Sequence, residues 1–209
     1  MNLIKQLLPH LIISLIFCLL TPVFFGVENL DAIRTAQLLE MYIGLVGIIM
    51  LTPIFLPEQY KDIKDVVYSK KTAMIEVHVI RVLEGIICQG ILLFCVLLYL
   101  RNNNCDFPFL QYYLGIMANA IFLGGIGIFI YALFDNIAIA YMMPIMYYLL
   151  NYGSSKKMLG RFILFSMVRG SYNEKYYLAI VGILLIMIGI LIRHFEKTIT
   201  MNWFGRIKG

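Results

Sequence analysis

The residues with a capacity for chemistry crowd into one stretch. LPEQYKDIKDVVYSKKTAMIEVHVIRVLEG, residues 56–85, carries Lys61, Lys64, Lys70, Lys71 and Arg81 against Glu58, Asp62, Asp65, Glu76 and Glu84, with His78 among them. No catalytic set is visible. His10, His78 and His194 are far apart, and neither H-E-x-x-H nor a nucleophile beside a base occurs. Cys18, Cys88, Cys95 and Cys105 form no Cys-x-x-Cys, so no zinc site, disulfide framework or other metal site is expected. The chain lacks G-x-x-x-x-G-K-[ST], so any ATP would be hydrolysed by another chain. The chain is not expected to be an enzyme. What this stretch suits is electrostatic docking.

Its local pattern supports that. Between Glu58 and Lys71 the apolar residues Ile63, Val66 and Val67 recur at i, i+3, i+4. This predicts a short amphipathic helix on the membrane surface, with its charged face in water. Ser69-Lys70-Lys71-Thr72 reads as a turn. The helical pattern resumes at Thr72, and His78, Arg81 and Glu84, three apart, share one flank, where Arg81 and Glu84 can pair. Water-facing loops are charged for solvation alone. A compact charged elbow joined rigidly to a spanning helix can also pass force from a soluble partner.

The elements that position this elbow follow from composition. Of 209 residues 61% are hydrophobic and 14% charged, with a mean hydropathy of +0.85. A soluble domain of this size cannot hide so much apolar surface, so the fold class expected is an all-α polytopic membrane protein in one transmembrane domain over 1–209. A spanning helix needs about 20 apolar residues. Six candidates are legible, at about 8–26, 38–56, 82–100, 110–134, 137–152 and 176–192. Read as one helix, 110–152 would be about 65 Å long, twice the hydrocarbon thickness. Asp135-Asn136 is its one strongly polar pair and predicts a tight hairpin. The first apolar run follows Lys5 and precedes no small-x-small cleavage site, so it is expected to stay as a span.

Six spans put both termini on one side. That side carries ten of the 17 Lys and Arg and the other seven, which favours cytoplasmic termini in a multi-pass cell-membrane protein. The basic residues are spread over several loops, so anionic lipid is a better partner than nucleic acid. Tyrosine clusters at 147–152 and 172–177, and Trp203-Phe204, suit the headgroup level.

Within the spans polar residues are few. Glu40 opens the second, followed by Gly44 and Gly47 at i+4 and i+7, and Asn119 lies inside the fourth among small residues. Helix packing explains these. Lining a pathway is the alternative. Glu40, Glu84 and Asp135 all fall near predicted span ends, leaving no ion relay at mid-membrane. Between the fifth and sixth spans, about eleven apolar-rich residues, MLGRFILFSMV, are too short to cross. With Lys157 and Arg161 toward water and Phe162 toward lipid, they predict an interfacial or re-entrant helix.

Six spans, a charged elbow between the second and third, a tight fourth-to-fifth hairpin and a short amphipathic stretch before the sixth together resemble the ABC-2 type permeases, the membrane subunits of ATP-driven exporters. The pattern Glu58 … Asp65-Val-Val-Tyr68-Ser69-Lys70 … Arg81 is similar to that family's coupling segment. The resemblance implies a bacterial cell-membrane protein working as a homodimer or heterodimer of permeases. A separate ATP-binding subunit, holding ATP and Mg, would dock on Glu58, Lys61, Asp62, Asp65, Ser69, Lys70 and Lys71. Force would pass through His78, Arg81 and Glu84. Lys157, Arg161 and Phe162 would gate the outer mouth. An alternative is the substrate-binding membrane subunit of a vitamin importer, although the first span lacks that class's Ala-xxx-Ala.

Overall fold

A computed structural model describes residues 3–59, 74–153 and 160–207. These contain no strand. The helices are α1 (Leu3–Leu19), α2 (Thr21–Phe25), α3 (Ala32–Met41), α4 (Val46–Leu51), α5 (Met74–Asn102), α6 (Phe109–Phe134), α7 (Ile137–Gly153) and α8 (Asn173–Ile207). Five segments are long and apolar enough to cross a membrane: Leu7–Phe25, Ala32–Leu56, Ile75–Asn102, Phe109–Phe134 and Asn173–Phe195. The expected fifth span, 137–152, is the 17-residue helix α7. It rises only about 25 Å, at the short limit for a crossing.

Contacts set the relative directions. Tyr112 of α6 donates to the Ala32 carbonyl, Gly47 packs on Ala120 and Gly127 on Thr52, so α3 and α4 run parallel to α6. α8 runs the same way, with Gly125 against Gly182 and Gly189 against Ile128. α5 runs opposite to α6, its Arg101 over Phe109 and its Gly90 against Tyr113 and Met117. α1 lies beside α5 in the same direction, and α7 folds back along α6 to bring Tyr147 onto Phe122. We term the α5–α6 turn the upper end and the α6–α7 turn the lower end.

The lower turn is built by two side chains of opposite habit. Asp135 adopts the left-handed region (φ 47°), which Asp tolerates better than most residues, and closes α6 with its N–H on the Tyr131 carbonyl. Asn136 then caps α7, its Oδ1 accepting from the N–H groups of Ala138 (2.9 Å) and Ile139 (3.4 Å).

Two expected boundaries change. The second span starts at Ala32, not near 38, because Asp31 caps α3 by accepting from the Arg34 N–H at 3.1 Å. Asp31→Ala should lower thermal stability by about 1 kcal/mol, measurable by melting in detergent. That pass is also broken. Ile43–Leu45 and Thr52–Gln59 are 3-10 turns, the latter containing Pro53 and Pro57, which have no N–H to donate. The third span begins at Ile75, not near 82, because His78 and Arg81 are buried inside the bundle. Close approach of helices rests on glycine: a Cβ at Gly47 would lie 2.1 Å from the Ala120 carbonyl oxygen.

Candidate functional site

Two polar junctions lie at opposite ends of the bundle. The upper one starts from Glu40, in the last turn of α3, and Lys175, in the first turn of α8. Both are buried, at 1% and 4% exposure. The Lys175 Nζ lies 2.5 Å from Glu40 Oε1 and donates to Asn119 Oδ1 (2.8 Å) and to the Leu164 carbonyl (2.5 Å). An ammonium has three donors and all three are used. Glu40 accepts further from the backbone N–H groups of Met167 (2.9 Å) and Val168 (3.2 Å). Asn119 completes the ring by donating to the Leu164 carbonyl at 3.1 Å. Glu40 is eight residues into a helix whose start lies beside that of α6, so the pair sits about 12 Å below the upper ends of both.

This cluster holds residues 160–172 in place. Asn151 of α7 accepts from the Leu164 N–H at 2.9 Å and Tyr147 donates to the Phe162 carbonyl at 2.5 Å. Tyr148 ties α7 to the Met41 carbonyl at 2.5 Å. The expected interfacial helix is therefore corrected for the described part of the segment. Among residues 160–172 the only helical turn is Met167–Arg169, with left-handed glycines at 160 and 170. The N–H groups of Leu164, Met167 and Val168 bond to Asn151 and Glu40 instead of to a helix ladder. Ile163 and Phe165, which the interfacial reading turns toward lipid, are buried in protein, as is Leu164. Phe162 is exposed, and Arg161 stacks over the Tyr177 ring at 5.1 Å. Lys157 lies outside the described residues.

The lower junction gathers the two helices that flank the elbow. Phe55 precedes it and His78 follows it, and their rings meet edge to face at 4.9 Å. Phe55 also meets Tyr131 of α6 at 5.9 Å. The Arg193 guanidinium of α8 lies 5.6 Å over Phe55 and 5.2 Å over Tyr131, and pairs with Asp135 in the α6–α7 turn. Arg81 is buried on the same helix as His78.

The structure separates other residues that the sequence grouped. Glu84 does not share the flank of His78 and Arg81. It turns half-buried toward α1, in a groove with Leu7, Leu11 and Cys88. It is also nine residues inside the apolar segment Ile75–Asn102, not near its end as expected. Gly44 and Gly47 face α6 and not a cavity. Glu58 closes the 3-10 turn Thr52–Gln59. Lys61, Asp62, Asp65, Ser69, Lys70 and Lys71 lie outside the described residues.

Sequence reasoning missed Lys175, Asn151, Tyr147 and Arg193. Lys175 stands in RGSYNEK, which reads as an outer loop, and was counted with the outer charges. The one available signal was Glu40 itself: a carboxylate within an apolar pass needs a cation. Nothing in the sequence says which of 17 supplies it.

Comparison of the chain with family models, curated proteins and solved structures returns no match.

Proposed function

We propose that this chain is the membrane-spanning permease subunit of an ATP-binding cassette exporter, moving an amphipathic or hydrophobic cargo such as a peptide or lipid. In this reading α7 is a sixth crossing, both termini are cytoplasmic, and two permease chains pair. The elbow at 58–71 docks a separate ATP-binding subunit, which holds ATP and Mg. The lower junction carries the proposal. The residues entering and leaving the elbow, Phe55 and His78, touch each other, and Phe55 meets Tyr131 and Arg193. A push on the elbow would reach α6, α7 and α8 through packed rings and an ion pair. The segment 160–172 stands at the opposite end, where an outer gate belongs.

Co-expression with an ATP-binding subunit encoded beside it is the test. The two chains should purify together, and Lys70→Glu with Lys71→Glu should abolish that. Arg193→Gln should leave the complex intact while reducing cargo-stimulated ATP hydrolysis roughly tenfold, the effect of about 1.4 kcal/mol. Labelling that places residues 58–71 on the extracytoplasmic face would overturn the assignment.

A further inference from the structure

The seam between α1 and α5 holds two apolar grooves, stacked end to end. The lower, about 260 Å³, is lined by Leu7, Leu8, Leu11, Ile87, Cys88 and Glu84. The upper, about 300 Å³, lies between 15–22 of the first pass and 92–100 of α5. Together they run from Leu7 to Pro22, about 22 Å along the helix axis, comparable to a lipid-like alkyl chain. Both grooves are greasy and poorly covered: Leu8 and Ile87 of the lower one and Leu15, Leu19 and Tyr99 of the upper one are exposed.

Glu84 is out of place there. Gly85, its neighbour, packs on Leu51, which in turn packs on Gly124 near the middle of α6, so the carboxylate lies level with the middle of that apolar helix. No hydrogen bond or ion pair joins it to any of the described residues. This contrasts with Glu40, which is fully enclosed and answered by Lys175. A carboxylate at this depth is costly unless a cation meets it. Apolar walls with one convergent charge are the form of a site for a small amphiphile.

We infer that the α1–α5 seam is a binding site for a hydrophobic cation: a single positively charged amine or ammonium seated on Glu84, with its hydrocarbon part along the grooves. Resting on the transporter reading, this names the cargo class. An amphipathic peptide with a cationic end and a cationic lipid share that chemistry. Entry is lateral, from the membrane, because the grooves open on the lipid side.

Cys88 lines the lower groove and reports its occupancy. The probe is dodecyltrimethylammonium, added to the purified full-length chain in nanodiscs of zwitterionic lipid. Maleimide labelling of Cys88 is read by the mass of its peptide. The expected result is labelling slowed about tenfold, equivalent to one decade of occupancy, with no slowing by dodecyl sulfate at equal membrane concentration. Glu84→Gln should erase the difference between the two amphiphiles and Glu84→Asp should retain part of it. Equal slowing by both would mean an ordinary lipid-filled seam and would overturn the site. So would a difference that survives in Glu84→Gln, or a Cys88–Cys88 cross-link on mild oxidation, which would put a second copy on this face. If the glutamine variant misfolds, the wild-type comparison of the two amphiphiles still decides. The measurement uses the chain alone, so it stands or falls separately from co-purification with an ATP-binding subunit.

Discussion

Lys175→Met is expected to cost the folded chain about 3–5 kcal/mol, because it strands the Glu40 carboxylate in the interior without its counter-charge. For a chain of this size that corresponds to a fall in Tm of roughly 6–20 °C. The backbone N–H groups of Met167 and Val168 would still bond Glu40, but two neutral donors do not replace an ammonium at 2.5 Å. Removing both charges, as Glu40→Leu with Lys175→Met, should restore much of the lost stability, since two apolar side chains need no solvation at all. The pair also has a positional role that melting does not report. Glu40 and Lys175 are what hold Leu164, Met167 and Val168 inward. In the double variant a cysteine placed at Ser166, now buried at 3% exposure, should label readily even where Tm has recovered. If that cysteine stays as slow as in the parent, the apolar contacts of Ile163 and Phe165 suffice and the ion pair is not the anchor.

Gly47→Ala should be as damaging, for a steric reason. Its Cβ would lie 2.1 Å from the Ala120 carbonyl oxygen and 2.5 Å from the carbonyl carbon. Both are backbone atoms, so no rotamer change relieves the clash and α4 must back away from α6. Overpacking at such a point costs about 3 kcal/mol or more. The neighbouring glycines sharpen the prediction. Gly44 belongs to the same stripe, yet its added Cβ meets nothing nearer than Ile116 Cδ1 at 3.5 Å, an ordinary contact, so Gly44→Ala should be mild. Gly153→Ala, with no atom within 4 Å, should change stability by less than about 0.5 kcal/mol. Melting curves of the three variants in one detergent check the order. Equal losses at 44 and 47 would refute the close packing of α4 on α6.

The contrast between Gly44 and Gly47 also marks how far sequence reading reaches. Spacing put both glycines on one small, polar stripe. Only the break at Ile43–Leu45 decides that the second, and not the first, touches backbone. Likewise the charges at His78 and Arg81 made the third pass look as if it began near 82. A helix already under way buries both, with His78 edge to face on Phe55. The same shift moves Glu84 away from the end of its apolar segment and turns it to α1, against the expectation that it falls near a span end.

Composition and local chemistry were enough for the class of molecule and for its sharpest turn. A chain with 61% hydrophobic residues favours a bilayer as its solvent, and Asp135-Asn136 breaks an apolar run too long for one crossing. Those are properties of residues near one another, set by hydrophobic burial and backbone preference. The pairing of Glu40 with Lys175, and of Arg193 with Asp135, joins residues 135 and 58 positions apart. A charge in the sequence records only that it needs a partner, not which one. That choice falls to helix packing, which brings the end of α3 and the start of α8 together beside α6, and with it goes the segment that α7 and these charges hold between them.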